Sequence, residues 1–412
     1  MAPTTISDSM IYAERKTGTH FNSLSSNNAV VPEKRVTKSS LNHEEHVAVK
    51  EREFPAELPG AEYKVELVWR NIIIFVFLHL GTIYGLMLPL NSWWTVLFTY
   101  TYGFAGAFGI TAGAHRYFAH RSYKANNALK ILLIYFQSVA FQNSVFEWAR
   151  DHRVHHKFCD TNADPHNSRR GFFFSHMGWL LCKKHPDVIK FGAKVDMSDL
   201  ASDKHIMFQH RHYLPLVLVI SVAIPTLIPW MFLGETFAAC FFFTSVYRYT
   251  LSLHLTWLIN SAAHLYGMKP YDKSISPVDT RLVALLAFGE GFHNFHHVFP
   301  WDYKTSELGS YYFNFSTGFL DFFAWLGWAT ELKTVSDELI KKRILRTGDG
   351  SHKYSKLKTN EEKLMAYIKD RSTDENGNHV HHEEDNVWGW GDVAMPEEDK
   401  KYVTILSQTS SG

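Results

Sequence analysis

From Asn71 to Ala114 the chain runs 44 residues without a lysine, arginine, aspartate or glutamate. A bilayer core about 30 Å thick is crossed by roughly 20 apolar residues of helix, so this run predicts two spans, about 71–90 and 93–113, turning at Pro89-Leu-Asn91. A second apolar block, Tyr213 to Met268, is interrupted at Gly234-Glu235 and predicts two more, about 214–233 and 236–258. Backbone polar groups in lipid must be satisfied within their own segment, which favours helices. The expected fold class is an all-α integral membrane protein of four transmembrane helices in two hairpins with a helical cap on one side.

Four spans put both termini and the 114–213 segment on the same face. Lys64, Arg70, Arg116, Arg121, Lys183 and Lys184 lie there, whereas the two short turns carry no Lys or Arg. The positive-inside rule makes that face cytosolic. Residues 1–62 read as a polar segment without the apolar core of a cleaved signal peptide, so the first span would direct insertion. Residues 63–345 form the expected membrane domain, and 346–412 a polar, flexible tail. Ala128–Trp148 and Tyr311–Trp328 are apolar but mixed, and read as helices lying in the interface or roofing the cap.

Within this frame the histidines are unusual. His115 and His120, then His152, His155 and His156, then His293, His296 and His297 form three clusters beside span ends. Residues three and four apart share a helix face, so the second and third clusters can each converge. His115 and His120 stand about 140° apart on a regular helix, which predicts a fraying end. A zinc site takes about four protein ligands; eight imidazoles suit two ions with open positions, and iron is the expected element. His20, His43, His46, His352, His379, His381 and His382 read as solvated, and His79 and His254 as bonded to a neighbouring helix.

Other features carry less. Arg248 is a charge inside the fourth apolar run, a functional candidate by position or a snorkelling side chain. Gly103, Gly106 and Gly109 read as small-residue helix contacts rather than a dinucleotide fingerprint. Cys159, Cys182 and Cys240 show no paired spacing, which suits a reducing, cytosol-facing location. A net charge of +1 argues against nucleic acid.

The blocks around the histidines are Gly-Ile-Thr-Ala-Gly-Ala-His115, Glu147-Trp-Ala-Arg-Asp-His152, Asp164-Pro-His-Asn-Ser-Arg-Arg-Gly-Phe-Phe-Phe-Ser-His176, Asn260-Ser-Ala-Ala-His264 and Gly289-Glu-Gly-Phe-His293. In order and content they resemble the membrane acyl-CoA desaturases of the stearoyl-CoA type, from about residue 63 to 345. The tail segment Trp388-Gly-Trp-Gly-Asp392 is similar to insect members. The resemblance implies a di-iron centre held by His115, His120, His152, His155, His156, His264, His293, His296 and His297, with Asn260 as a weaker or water-mediated ligand. It also implies a multi-pass protein of the endoplasmic reticulum membrane.

The reaction so implied places a cis double bond, Delta-9 in the expected case, in a saturated long-chain acyl-CoA. Each turnover reduces O2 to two waters; two electrons come from the substrate and two from outside. The chain has no dinucleotide or haem-attachment motif, so the electrons need a partner, which the resemblance identifies as cytochrome b5 with its NADH-dependent reductase. By the same resemblance Asn71, Asn143, Arg150, Asp151, Lys183, Lys184 and Trp257 would meet coenzyme A. Gln142, Trp148 and Thr256 would shape the bend of the acyl tunnel, and Gly103 and Ala107 would line its end. Phe118 stands where many relatives have tryptophan. That departure and the small Gly103 and Ala107 leave position and chain length open, with Delta-11 desaturation or hydroxylation as alternatives from the same boxes. A metal transporter is a different class, which would hold its ligands nearer the bilayer midplane.

Overall fold

Two helices, α1 (Trp69–Met87) and a later one at Tyr213–Phe232, are long and apolar enough to cross a bilayer. The computed structural model describes residues 64–307, 311–356 and 386–406; the expectations for His20, His43, His46, His379, His381, His382 and residues 1–62 lie outside them. The second expected span is helix α2 (Trp93–Phe108), which runs on without a break into α3 (Gly109–Ala119). Helix α4 (Asn127–Ala140) and helix α5 (Val145–Lys157) meet at 82°, and together make at most a third candidate span. Then come α6 (Tyr213–Phe232), α7 (Cys240–Tyr247) and α8 (Arg248–Asn260). The α2–α3 and α7–α8 stretches are richer in Tyr, Thr, Ser and Gly than α1 and α6, so their apolarity alone does not mark them as spans.

Helix α1 turns an apolar face outward, with Ile73, Leu80 and Ile83 exposed, and buries Asn71, Phe75, Leu78, Gly81 and Gly85. Its partner is α7, distant in sequence. A Cβ on Gly85 would lie 2.6 Å from the Phe242 carbonyl oxygen, so only glycine lets the backbones approach this closely. The two inter-helix turns are latched to each other. Glu235, buried, accepts from the backbone N–H groups of Asn91 and Ser92 and from the Thr95 hydroxyl, and Asn91 Nδ2 donates to Gly234 O at 2.9 Å.

Arg248 answers a problem created by proline. Pro225 has no N–H to offer the Ser221 carbonyl four residues back in α6; Arg248 Nη2 donates to that oxygen at 2.8 Å and Nη1 to Val139 O at 3.2 Å. Pro229 likewise frees the Pro225 carbonyl, which accepts from the Thr244 hydroxyl. In lipid such orphaned carbonyls would go unmet. The buried arginine thus ties α6, α7–α8 and the end of α4 together.

Where a fraying end was expected at the first histidine pair, the helix instead widens. Residues 109–119 have wide turns, and the His120 N–H bonds the His115 carbonyl five residues back at 3.1 Å. A five-residue turn stacks the two histidines that a regular helix would separate. Gly109 sits against the backbone of α4, where a Cβ would fall 2.2 Å from Gln137 N; at Gly106 it would fall 3.3 Å from Ala140 N, and at Gly103 it would meet Arg248 Cγ in ordinary contact at 3.6 Å.

The cap is built on bent helices. Asn126 and Ser144 accept from the Leu129 and Glu147 N–H groups and start α4 and α5. Phe141 and Asn143, both at positive φ, make the corner between them. Helix α9 (His293–Val298) carries the last histidine cluster, and α10 (Phe315–Trp325) lies over α3, with Phe319 stacked on Phe108 at 4.5 Å.

The all-α expectation needs correction in the cap. Strands β1 (Lys124–Ala125) and β2 (Ala329–Thr330) pair antiparallel, as do β3 (Leu332–Val335) and β4 (Val403–Leu406). Strand β4 belongs to the stretch expected as flexible tail. Its described part, 386–406, packs instead: Met395 is buried in the core of Tyr271, Phe295, Phe299 and Trp301. A few apolar residues in a polar stretch were enough, and composition averaged them away. His352, expected to be solvated, pairs with Glu307 at 3.0 Å. His79 and His254 bond each other at 3.1 Å across helices, as expected.

Replacing Arg248 with Met should lower the stability of the detergent-solubilised protein by about 3 kcal/mol, the scale of charge-assisted bonds lost to buried carbonyls. Adding Pro225→Ala should recover part of it by returning an N–H to Ser221. The midpoint of heat-induced loss of the monodisperse chromatographic peak reads both effects; an unchanged midpoint in Arg248→Met would refute this role.

Candidate metal centre

The wide turns of α3 bring the His115 and His120 rings to 4.7 Å between centroids. Helix α5 passes beneath them and presents His152 and His156, while His155 points to the other side. Helix α9 contributes His296 to the first group and His293 and His297 to the second. The short helix Ala262–Leu265, just after α8, brings in His264.

The nine histidines separate into two groups. In one, potential ligand atoms of His115, His120, His152, His156 and His296 all lie within 4.8 Å of one another; in the other, so do those of His155, His264, His293 and His297. The Nε2 atoms face each other: His115 to His296 at 2.9 Å, His120 to His152 at 2.8 Å, His156 to His296 at 3.0 Å, and His293 to His264 and to His297 at 3.1 Å each. Two imidazoles bound about 2.1 Å from one ion at right angles would have nitrogens about 3 Å apart. One Nε2 cannot satisfy two such neighbours with a single proton. The donor set therefore fits a metal in each group.

The opposite ring nitrogens are anchored. His155 Nδ1 lies 3.0 Å from both Asp164 oxygens, and His120 Nδ1 donates to the Trp388 carbonyl. His115 Nδ1 is 2.9 Å from Glu290 Oε2, off the line of a straight hydrogen bond, and His264 Nδ1 is 3.4 Å from Ser276 Oγ. Such partners fix the tautomer that turns the Nε2 lone pair to a metal. Burial, with neighbouring imidazoles adding to it, holds His120, His152, His156, His293, His296 and His297 well below the usual histidine pKa, so they stay neutral. Burial alone would raise the Glu290 carboxyl; Arg116, 2.9 Å away, holds it below its ordinary value.

The anchoring carboxylates, Asp164 and Glu290, were passed over in the sequence although both stand inside the histidine blocks. The signal was an acidic residue beside an imidazole-rich stretch, a pairing that metal-bound histidines require. Asn260 is half-buried at the end of α8, four residues before His264.

An apolar cavity of about 80 Å³ opens between α2, α8 and the 286–288 segment. Gly103 and Ala107 line it, as do Arg248 and Thr256. Gln142 Nε2 donates to the Thr256 hydroxyl at 2.9 Å, and Trp148 stacks on His152 at 4.9 Å. On the polar side, Arg150 contacts Asp151 at 3.0 Å and Lys184 contacts the same carboxylate. Lys184 and Lys183 border a second cleft with Arg170 and His185. Lys183 itself pairs with Glu66 in the open. Asn71 Nδ2 donates to Leu180 O at 2.7 Å, and Trp257, fully buried, sits edge-on to Phe75. Asn143 is buried at the α4–α5 corner.

Residues 91–314 match the fatty acid desaturase family. Chains similar to this one include the acyl-CoA Delta-9 desaturase of Acheta domesticus, 49% identical over 84% of this chain and 87% of that one. The acyl-CoA Delta12-desaturase of the same organism is 50% identical over 82% and 85%, and the stearoyl-CoA desaturase of Homo sapiens 55% over 71% and 82%. The chain belongs to the fatty acid desaturase family. The resemblance read from the histidine blocks is thereby established, and this desaturase has a histidine-rich cluster able to bind metal.

Asp164→Asn should loosen His155 without removing it. Metal affinity should fall about 10–100-fold, read by competition with a chelator, while helical content by circular dichroism stays the same. Unchanged affinity would remove Asp164 from the anchoring role.

Proposed function

We propose that this desaturase is an oxygen-dependent acyl-CoA desaturase that inserts a cis double bond at Delta-9 of saturated long-chain acyl-CoA. The observation that carries the reading is the pair of histidine groups beside an apolar cavity, in a chain about half identical to acyl-CoA desaturases along most of its length. The nine histidines are the proposed ligands, with Asn260 as a weaker one, for two iron ions per chain. Iron, when bound, supplies the oxidising O2 chemistry that unactivated C–H bonds demand and that no side chain offers.

The protein's own work is binding, orientation and exclusion of water. Arg150, Lys183 and Lys184 offer cations to the phosphates of coenzyme A, Asp151 sets the first and last of these, and Asn71, Asn143 and Trp257 flank the entry. An acyl chain threaded past Trp148 and the Gln142–Thr256 pair would bend beside the histidines. Its methyl end would reach Gly103 and Ala107, where the absence of large side chains leaves length. Anchoring at one end and bending in the middle fix which carbons face the metal.

The apolar helices fit a membrane protein; the fuller reading is four spans, α2–α3 and α7–α8 joining α1 and α6, with both termini and the active site cytosolic in the endoplasmic reticulum. The latched turns at Asn91 and Glu235 support a common end for the two hairpins. Cytochrome b5 and its NADH-dependent reductase are the proposed source of two electrons per turnover. A hydroxylase would use the same ligands, but the named relatives favour desaturation. Relatives at 49% and 50% identity carry Delta-9 and Delta-12 names, so the position needs a direct test.

Expression in a desaturase-deficient yeast should restore growth and yield Delta-9 monounsaturated fatty acids; saturated or hydroxylated products alone would overturn the reading. Ala107→Ile should fill the end of the cavity and shift preference from stearoyl-CoA toward palmitoyl-CoA, each unburied methylene being worth about 0.8 kcal/mol. The double-bond position should not move. Paired assays on the two substrates give the ratio, and an unchanged ratio in an active variant would show that Ala107 does not form the tunnel floor.

A further inference from the structure

The Trp388-Gly-Trp-Gly-Asp392 segment, which supplies one of the Nδ1 partners, lies directly against the five-histidine group. The Trp388 carbonyl accepts from His120 Nδ1, and the Trp390 N–H donates to the His120 carbonyl at 2.9 Å. One histidine is thus gripped at ring and backbone by a segment 268 residues later in the chain. Between the two contacts stands Gly389, at φ +151°, where a Cβ would fall 2.6 Å from the His120 carbonyl oxygen. Glycine is required both by the backbone angle and by the approach.

The segment is built in. Trp388 is 3% exposed, and its ring lies under two guanidinium groups, Arg153 at 4.2 Å and Arg121 at 4.9 Å from its centroid. Asp392, 2% exposed, accepts from the Trp388 N–H at 2.9 Å and pairs with Lys157 at 2.9 Å. Asn386 Nδ2 donates to the Lys157 carbonyl at 3.3 Å. Lys157 ends α5, the helix that carries His152 and His156. Further on, β4 anchors the segment to β3. The tail therefore clasps the first and second histidine clusters at once, whereas the ring nitrogens of His155, His264, His293 and His297 face Asp164, Asp160, Ser276 and one another.

We propose that residues 386–392 are a working part of the metal centre: Trp388 is a positioning residue whose carbonyl sets the tautomer and orientation of His120, and the five-histidine group is complete only when the tail is seated. The consequence is asymmetry. Losing the clasp should weaken the five-histidine site more than the other, because the tail bonds a ligand directly only there, at His120, and meets the α9 region through the apolar Phe295 and Phe299 rather than through its histidines. It rests on reading the two histidine groups as two metal sites.

The test is graded chelator dialysis of the iron-loaded, full-length protein, with iron per chain measured after each step. The unaltered protein run in parallel tests the underlying reading alone: retention of two ions supports it, and one or none overturns it whatever the variants do. Gly389→Val should make one of the two ions extractable at a chelator strength about 10–100-fold lower, with the other retained. Asp392→Asn, which keeps the glycine and weakens only the anchor, should shift the same ion in the same direction by less, and it decides the matter if Gly389→Val does not fold. A chain ending at residue 356 should behave like Gly389→Val and regain the second ion when a peptide of residues 386–406 is added. Retention of both ions at unchanged chelator strength, or their loss together, in Asp392→Asn and in any folded form of the other two would overturn the proposal.

Discussion

Neutral imidazoles turned lone pair to lone pair at about 3 Å repel, and nearly everything else in the cap serves to hold them so. Asp164, Glu290 and the Trp388 carbonyl take the Nδ1 side of His155, His115 and His120 and leave the Nε2 side bare. Burial keeps the rings uncharged. A cation in each group would turn that repulsion into coordination, and two donor groups made of neutral imidazoles alone suit a redox metal of borderline softness. The carboxylates stand one shell out, where they orient and polarise without occupying the metal.

Positioning nine rings from four stretches of chain requires backbone that departs from regular helix. The wide turns of α3 convert a five-residue spacing into a shared face, the corner at Phe141 and Asn143 swings α5 beneath it, and glycines at 106 and 109 let α4 press against both. Similar devices hold the apolar helices. Prolines in α6 release carbonyls that Arg248 and Thr244 capture, so the buried cation is a structural tie as well as part of the cavity wall. A membrane protein can keep such irregular helix only where neighbouring segments meet the freed groups.

The histidine spacings made much of the centre legible. His152, His155 and His156, like His293, His296 and His297, obey helical periodicity, and the uncharged runs marked the apolar helices. His264 came only through resemblance, because a lone histidine after a span has no local pattern. The division into groups of five and four was invisible, since it depends on which side of α5 each ring faces once α9 and the 262–265 turn are docked. The widening at 109–119 could not be read because it answers to the close crossing of α4, a tertiary effect. The tail was misjudged for a related reason: Trp388 and Asp392 find partners in His120 and Lys157, and Met395 in Phe295 and Phe299, all far earlier in the chain, and a composition average does not register them.

The central claim is that these rings hold two iron ions in nitrogen-rich sites. X-ray absorption at the iron edge, combined with metal analysis of the purified full-length desaturase, tests it most directly. The account expects about two iron ions per chain and a first shell dominated by imidazole nitrogen at about 2.1 Å. A single zinc ion, or iron bound mainly through sulfur or carboxylate oxygen, would contradict it.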